Sequence, residues 1–356
     1  MLEARDRVGG RVWSAPLPGG TVVERGAEFV LPGYEALTRV AGRLGLALRE
    51  KGTLYGDRDP RDGAPVARED VAAAVASLRP AGGSLADALA ALAPPLREAV
   101  GARLAVSTAY ELDDQPAAIL ADGAAGFGDF PSHSVVGGND AIAHALAAPL
   151  DVRLGEKVEM VEWWEDGVRV DGLDADVAVL AAPATATLAI RFEPPLPAWK
   201  HRALAGVRYG AAAKLFLPLA EPVAPSATLS VRGRFWTWTE TGVAAASSFA
   251  GTPEALERLA VADGPARFAE EVRRLRPDLP FTSEEPELAT WPEGAYSART
   301  ISSPMDDEAL ARPLGPLAFA GEHTAGPWHG LMEGALRSGA RAAGDLLARY
   351  SSVSSR

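Results

Sequence analysis

The 356-residue sequence contains no cysteine. This excludes disulfides, thiolate metal sites and cofactor attachment through a cysteine. Histidine is almost as scarce: five residues, scattered, with no HExxH spacing, so no metal centre is expected. Runs of basic residues are missing too. With 35 Lys and Arg against 47 Asp and Glu, the net charge of −12 argues against a nucleic-acid partner. No apolar stretch reaches about 18 residues and no signal peptide is visible, so neither a membrane anchor nor export is expected, and the predicted location is cytoplasmic. A GxGxxG turn, the usual cradle of a dinucleotide pyrophosphate, is also absent.

What is present describes a folded globular protein, 47% apolar and 23% charged. Its length exceeds one ordinary core and predicts two domains. The most informative stretch is the opening one, in which an apolar strand end delivers Glu3, followed by Ala4, Arg5 and then Gly9, Gly10 and Arg11. A carboxylate at a strand end can accept both ribose hydroxyls of an adenosine. The glycines let backbone N–H groups approach a pyrophosphate, and Arg11 can offset its charge.

Further along, Thr21–Glu24 reads as a strand leading into Gly26, Ala27, Glu28 and Phe29, and residues 34–48 have helical apolar spacing. Residues 53–133 are Ala-rich helical segments broken by prolines, and a Gly-rich loop is expected over 122–134. A helix to Leu146 opens at Gly137-Gly138-Asn139-Asp140, with Asn139 or Asp140 as its cap. A hairpin follows, Lys157–Trp164 and Val168–Val170, then an apolar run, Ala175–Ala182. Unbroken apolar runs suggest a strand buried on both faces, as in a central parallel sheet. Strands are expected at 211–217, 227–231, 234–240 and 243–249, and a helix over 253–275 interrupted at Gly264-Pro265. Lys214 sits amid apolar residues of the first of these strands, where an unpaired ammonium is costly. Near the end, Leu317–Ala320 delivers Gly321-Glu322, and a small-residue helix starts soon after Gly330, Leu331 and Met332. Such a helix start presents free N–H groups to an electron-rich partner.

These two terminal motifs, in this order, resemble the flavin-contact segments of the flavin-containing amine oxidases, the monoamine and polyamine oxidase group. The resemblance covers essentially the whole chain and is specific at residues 2–11 and 317–343. It implies an α/β fold of two domains (α+β in arrangement): an N-terminally incomplete, Rossmann-like FAD-binding domain, and a mixed sheet-and-helix substrate domain. Residues 1–52, 134–204 and 293–350 would form the first, 53–133 and 205–292 the second, and 351–356 a disordered tail. In the family the ribose carboxylate ends the second strand of a βαβ unit whose GxGxxG turn lies about 30 residues earlier. Here Met1 stands two residues before Glu3, so a start placed too late in the reading frame is expected.

The resemblance also implies roles. Cofactor contacts fall on Glu3, Ala4, Arg5, Gly9, Gly10, Arg11, Gly26, Ala27, Glu28, Phe29, Val158, Gly321, Glu322, Gly330, Leu331 and Met332. Lys214 would hold a water at flavin N5, and Trp291 and Tyr296 would wall the substrate. Ala295 stands where the covalent cysteine of monoamine oxidases lies, so the FAD is expected to be non-covalent. Tyr296 matches one tyrosine of the family's aromatic pair, and Leu331 replaces the other. Phe29 and Val30 offer no arginine where amino-acid oxidases carry one for the carboxylate, which argues against an α-amino acid. The expected activity is hydride transfer from a small-molecule amine to flavin N5, with molecular oxygen as acceptor. A C–C desaturase of the same superfamily and a flavin-free accessory protein are the alternatives. The oligomeric state is not legible.

Overall fold

The computed structural model describes residues 1–79, 82–121, 128, 130–291 and 294–353. Its largest layer is a six-stranded sheet in the order Glu287–Thr290, Ala212–Pro218, Ala245–Gly251, Phe235–Thr239, Ser226–Ser230, Asp59–Arg61. The first five strands are antiparallel neighbours from one stretch of chain, and Asp59–Arg61 joins parallel to Ser226–Ser230. Stretches 53–133 and 205–292, far apart in sequence, therefore share one sheet.

Both faces of that sheet are covered. Helix Ala266–Leu275 lays Phe268, Val272 and Leu275 against Leu215, Leu217 and Phe235. On the other face, helix Pro94–Thr108 packs Val100, Leu104 and Val106 against Leu229, Trp236 and Trp238. Side chains alternate along a strand, so Lys214 points away from Leu215. It shares a cross-strand row with Phe249 and Trp236. Full burial of each large apolar side chain contributes about 1.5–3 kcal/mol, so this double-sided core forms a rigid wall for the elements packed on it.

A second, four-stranded sheet runs Leu173–Ala175, Gly167–Val170, Met160–Trp164, Arg191–Glu193. Its core joins Val161, Val168 and Phe192 to Leu204, Leu310 and Phe319. Two short parallel pairs complete the frame: Leu2–Glu3 with Arg153–Leu154, and Ala178–Leu180 with Leu317–Phe319.

Several expectations need correction. The apolar run 175–182 is not one strand buried on both faces. Leu173–Ala175 finishes a ladder with Val168–Val170, and after a break Ala178–Leu180 pairs with Leu317–Phe319. Val179 is 47% exposed, so one face of this strand is open. The first helix stops at Arg43, where Gly45 (φ 71°) takes the left-handed conformation, and Leu48 begins a strand. Pro131–Val135, expected within a loop, is a strand pairing with Leu48–Leu54; residues 122–127 and 129 of that loop lie outside the described residues. The last helix runs from Met332 to Val353, past the expected tail boundary at 351, and 354–356 lie outside the described residues. Among the described residues no helix is long and apolar enough to cross a membrane.

Candidate active site

The opening turn is built by its own backbone and two arginines. Glu3 ends its strand and its carboxylate accepts from the Arg5 amide at 2.9 Å. Gly9 (φ 95°) and Gly10 (φ 57°) hold conformations that favour glycine. Arg7 donates to the Gly10 carbonyl at 2.8 Å and lies 4.5 Å over the Trp13 ring, so it serves the turn itself. Arg11 reaches across the molecule instead, to the Ala295 carbonyl at 3.1 Å and to Glu322 at 2.7 Å.

Glu322 is the centre of a second cluster. Besides Arg11 it accepts from the Ser297 amide (3.1 Å), the Ser297 hydroxyl (2.5 Å) and the Gly330 amide (2.5 Å). Burial alone would raise its pKa, but Arg11, His323 and these hydrogen bonds outweigh it and hold the carboxyl at about 2. The Gly330 contact fixes the turn just before helix Met332–Val353, whose first residues face the same space.

The loop 24–29 is held from three sides. Gly26 passes so close to Arg11 that a Cβ there would lie 2.1 Å from the Arg11 carbonyl oxygen. Asn139, fully buried, donates to the carbonyls of Ala27 and Glu28 at 3.0 Å each and accepts from the Val135 amide at 2.9 Å. Of the two cap candidates Asp140 takes the N-cap position of helix Ala141–Ala147, but without a side-chain capping bond: its carboxylate accepts from the Ser14 amide at 3.0 Å, and the Asn139 side chain clamps the loop. Behind the loop, charges alternate through the buried interior. Lys214 and Lys51 share the Glu28 carboxylate, Lys51 also meets Glu240 at 2.5 Å, and Arg49 meets Glu240 at 2.8 Å. Burial works to raise the Glu240 pKa; Lys51 and Arg49 prevail and hold it at about 2. Lys214 spends its three N–H groups on the Glu24 carbonyl (2.6 Å), the Gly26 carbonyl (2.8 Å) and Glu28. An ammonium has three donors, so in this arrangement none is left for a water.

Aromatic rings complete the wall. Trp291 donates its indole N–H to the Arg25 carbonyl at 3.1 Å, and Tyr296 donates its hydroxyl to the Ser107 carbonyl at 2.9 Å. Burial pushes the Tyr296 phenol pKa upward, so it stays neutral. Phe29 packs 5.5 Å from both Trp236 and Trp238, which stack at 4.3 Å.

The opening turn, the 26–29 loop, Lys214, the Glu322 cluster and the aromatic rings border one cavity of about 1740 Å³, with Lys51, Glu240 and Asn139 behind its wall. A drug-sized ligand site occupies about 300–1,000 Å³, so this one has room for more. Each residue picked out from the sequence lies on its wall: Glu3, Ala4, Arg5, Gly9, Gly10 and Arg11; Gly26 to Phe29; Val158; Lys214; Trp291 and Tyr296; Gly321 and Glu322; Gly330 to Met332. Val158 precedes its strand rather than lying within it, since the strand begins at Met160. Lys51, Glu240, Ser297 and Arg58 were not legible as site residues. Lys51 sits in Arg49-Glu50-Lys51, which reads as a solvated charge run; only the period of two, Lys51 and Thr53 buried between exposed neighbours, carries a signal.

Residues 1–120 and 115–347 match the family described as flavin containing amine oxidoreductase. The chain belongs to this family. Among curated relatives, a mouse (Mus musculus) L-amino-acid oxidase is 31% identical over 252 residues, covering 59% of this chain and 38% of that protein. Polyamine oxidase 4 of Oryza sativa subsp. japonica is 29% identical over 244 residues, covering 60% and 49%. These matches thus span about half or less of the relatives' length. Among solved structures, cyclohexylamine oxidase from Brevibacterium oxydans superposes with a TM-score of 0.79 at 19% identity, covering 98% of this chain and 93% of that one. A putrescine oxidase triple mutant gives 0.78 at 21% identity, with the same coverage. The chain therefore has the fold of those oxidases, an α/β fold of mixed sheets and helices, and a flavin is the cofactor its family implies.

Proposed function

We propose that this chain binds FAD non-covalently along the cavity and oxidises the C–N bond of a small-molecule amine at its aromatic end. The observation that carries this reading is the meeting, on one cavity, of Glu3–Arg11 and Gly321–Met332 from opposite ends of the sequence with Lys214, Trp291 and Tyr296. Amine is the substrate chemistry shared by the names of the polyamine, cyclohexylamine and putrescine oxidases it resembles.

The residues present suit a flavin. Glu3 would receive ribose hydroxyls at its strand end. The small residues Gly26 and Ala27 line the wall, and the first turn of helix Met332–Val353 offers N–H groups and positive dipole to an electron-rich ring edge. No cysteine exists to make a thioether, which supports non-covalent binding. When bound, the flavin supplies acceptance at N5 of a hydride from the α-carbon of a neutral amine, with oxygen as the later electron acceptor.

The chain's own contribution is orientation and exclusion of water. Trp291 and Tyr296, their polar atoms already bonded to backbone, present ring surfaces that desolvate the amine. Lys214 is best read as a positioning residue. It fixes the 24–28 loop, and a water at the flavin would have to replace one of its three acceptors. The charged lining, Lys214, Glu28 and Arg58, speaks against the long apolar tunnel of a C–C desaturase. Equilibrium dialysis of the full chain against FAD, followed by acid precipitation, tests the cofactor assignment. Release of all bound flavin into the supernatant is the expected result. Flavin retained in the pellet, or never bound, would refute it.

A further inference from the structure

One end of the cavity carries a charge for which the activity proposed above has no use. Arg58 borders the cavity beside Tyr55, Trp236, Gln115 and Tyr296, yet is only 2% exposed. Its guanidinium carbon lies 3.6 Å from the centroid of Trp236 and 5.0 Å from that of Tyr55. Its Nε donates to the Tyr55 carbonyl at 3.2 Å, while its Nη1 has no hydrogen-bond partner. No ion pair reaches it among the described residues. The charged neighbour that acts on it most is another cation, Arg103, itself 2% exposed and 5.5 Å from the ring they share, that of Tyr55. Burial first, and Arg103 second, pull the Arg58 pKa down.

A guanidinium does not escape this position by losing its proton, because its ordinary pKa is too high. Burying it without an anion costs several kcal/mol, and the ring faces of Trp236 and Tyr55 return only part of that. Other buried cations have partners for their N–H groups: Lys51 has Glu28 and Glu240, Lys214 has Glu28, and Lys200 has the carbonyls of Ala309, Leu310 and Arg312. Arg58 differs from these lysines in keeping an N–H group without a partner, and it borders the cavity, where a ligand can reach. The planar fork of an arginine matches a carboxylate through two parallel N–H···O bonds.

We infer that Arg58 is a specificity-determining residue that receives a carboxylate of the substrate, so that the amine oxidised here is an amino acid or related amino-carboxylate rather than a di- or polyamine. A second ammonium at this end of the cavity would meet the like charge of Arg58. The inference rests on the oxidase reading for the amine half of the substrate, and on Arg58 alone for the acid half. It revises the expectation drawn from Phe29 and Val30: the arginine missing from that loop is supplied from residue 58, which folds onto the same aromatic cluster through Tyr55.

The test uses 3-phenylpropionate and 3-phenylpropionamide, matched in shape and different in charge, bound to the full chain and followed by quenching of tryptophan fluorescence. The acid should bind at least about tenfold more tightly than the amide. Arg58→Met should abolish the difference, and Arg58→Lys should restore part of it. Equal affinities in the wild type would overturn the assignment whether or not the variants fold, as would a preference that survives Arg58→Met. The melting temperature separates a structural role: removing an uncompensated buried cation should not lower it, whereas loss of a scaffold residue would. Anaerobic reduction of the flavin-loaded chain distinguishes the two readings. Faster bleaching by phenethylamine than by phenylalanine sinks the carboxylate assignment and leaves the oxidase reading standing. An acid preference with no bleaching by any amine leaves Arg58 as an acid-binding residue, sinks its assignment to an oxidised amine, and refutes the oxidase reading.

Discussion

Arg11 and Glu322, 311 residues apart in the chain, meet at 2.7 Å and join the two ends of the sequence across the cavity. The pair lets the opening turn and the start of the last helix line one space, because Glu322 also holds the Gly330 amide. The Glu322 pKa of about 2 lies below its usual 4.5. Its stabilising contribution is therefore fully present above about pH 4.5 and is lost as pH falls towards 2. At 1.36 kcal/mol per unit the contribution is on the order of 3 kcal/mol. Urea unfolding between pH 7 and pH 3 should show the acid limb in the wild type and a shallower one in Glu322→Gln. Equal slopes would remove Glu322 from the cause.

Glu24 has the opposite sign. Burial first, and Glu28 second, raise its pKa to about 7, against hydrogen bonds from Ser14 (2.6 Å) and the Asn139 amide (2.8 Å). The folded state then holds a proton that the unfolded state releases near 4.5, so stability falls as pH rises through 4.5 to 7. Glu24→Gln keeps the shape and removes the charge. It should raise the melting temperature at pH 8 and leave it nearly unchanged at pH 4.5. A lower melting temperature at both would show that the carboxylate itself is required.

Asn139→Ala removes three hydrogen bonds and leaves the Val135 amide and two loop carbonyls without these partners. The cost should be at least about 3 kcal/mol, since each buried unsatisfied group costs about 1–3 kcal/mol. Chemical denaturation measures it. A change under about 0.5 kcal/mol would mean that the loop has other anchors.

Lys214 and Glu28 are coupled through the buried charge network. Lys214→Met leaves the Glu28 carboxylate with Lys51 alone and should cost about 3 kcal/mol, as breaking a buried pair does. Adding Glu28→Gln should then cost less than the sum of the single changes. A double-mutant cycle reads this directly, and strict additivity would place the two residues in independent environments.

Much of the fold was legible because its signals are local. The strands at 212–218, 226–230, 235–239 and 245–251 follow from apolar runs bounded by turns; the helix expected over 253–275 breaks earlier than Gly264-Pro265, ending at Arg258 and resuming at Ala266. The terminal motifs were legible because glycine spacing and a strand-end carboxylate leave few other readings. What could not be read is long-range pairing. Arg58, in Gly56-Asp57-Arg58-Asp59-Pro60, looks like a solvated charged turn, and only the packing of Tyr55 and Trp236 around it makes it a buried wall. Asn139 reads as a helix cap because Asn before a helix often is one; that its amide turns instead to the 27–28 carbonyls depends on a loop 112 residues away.

The function proposed for this chain depends above all on the cavity holding a flavin against which an amine is oxidised. Anaerobic titration of the FAD-loaded full chain with amines, watching the flavin band at about 450 nm, tests it most directly. Stoichiometric bleaching by at least one amine, with recovery of the band when oxygen is admitted, is the expected result. A bound flavin that dithionite reduces but no amine bleaches, or a chain that takes up no FAD at all, would contradict it.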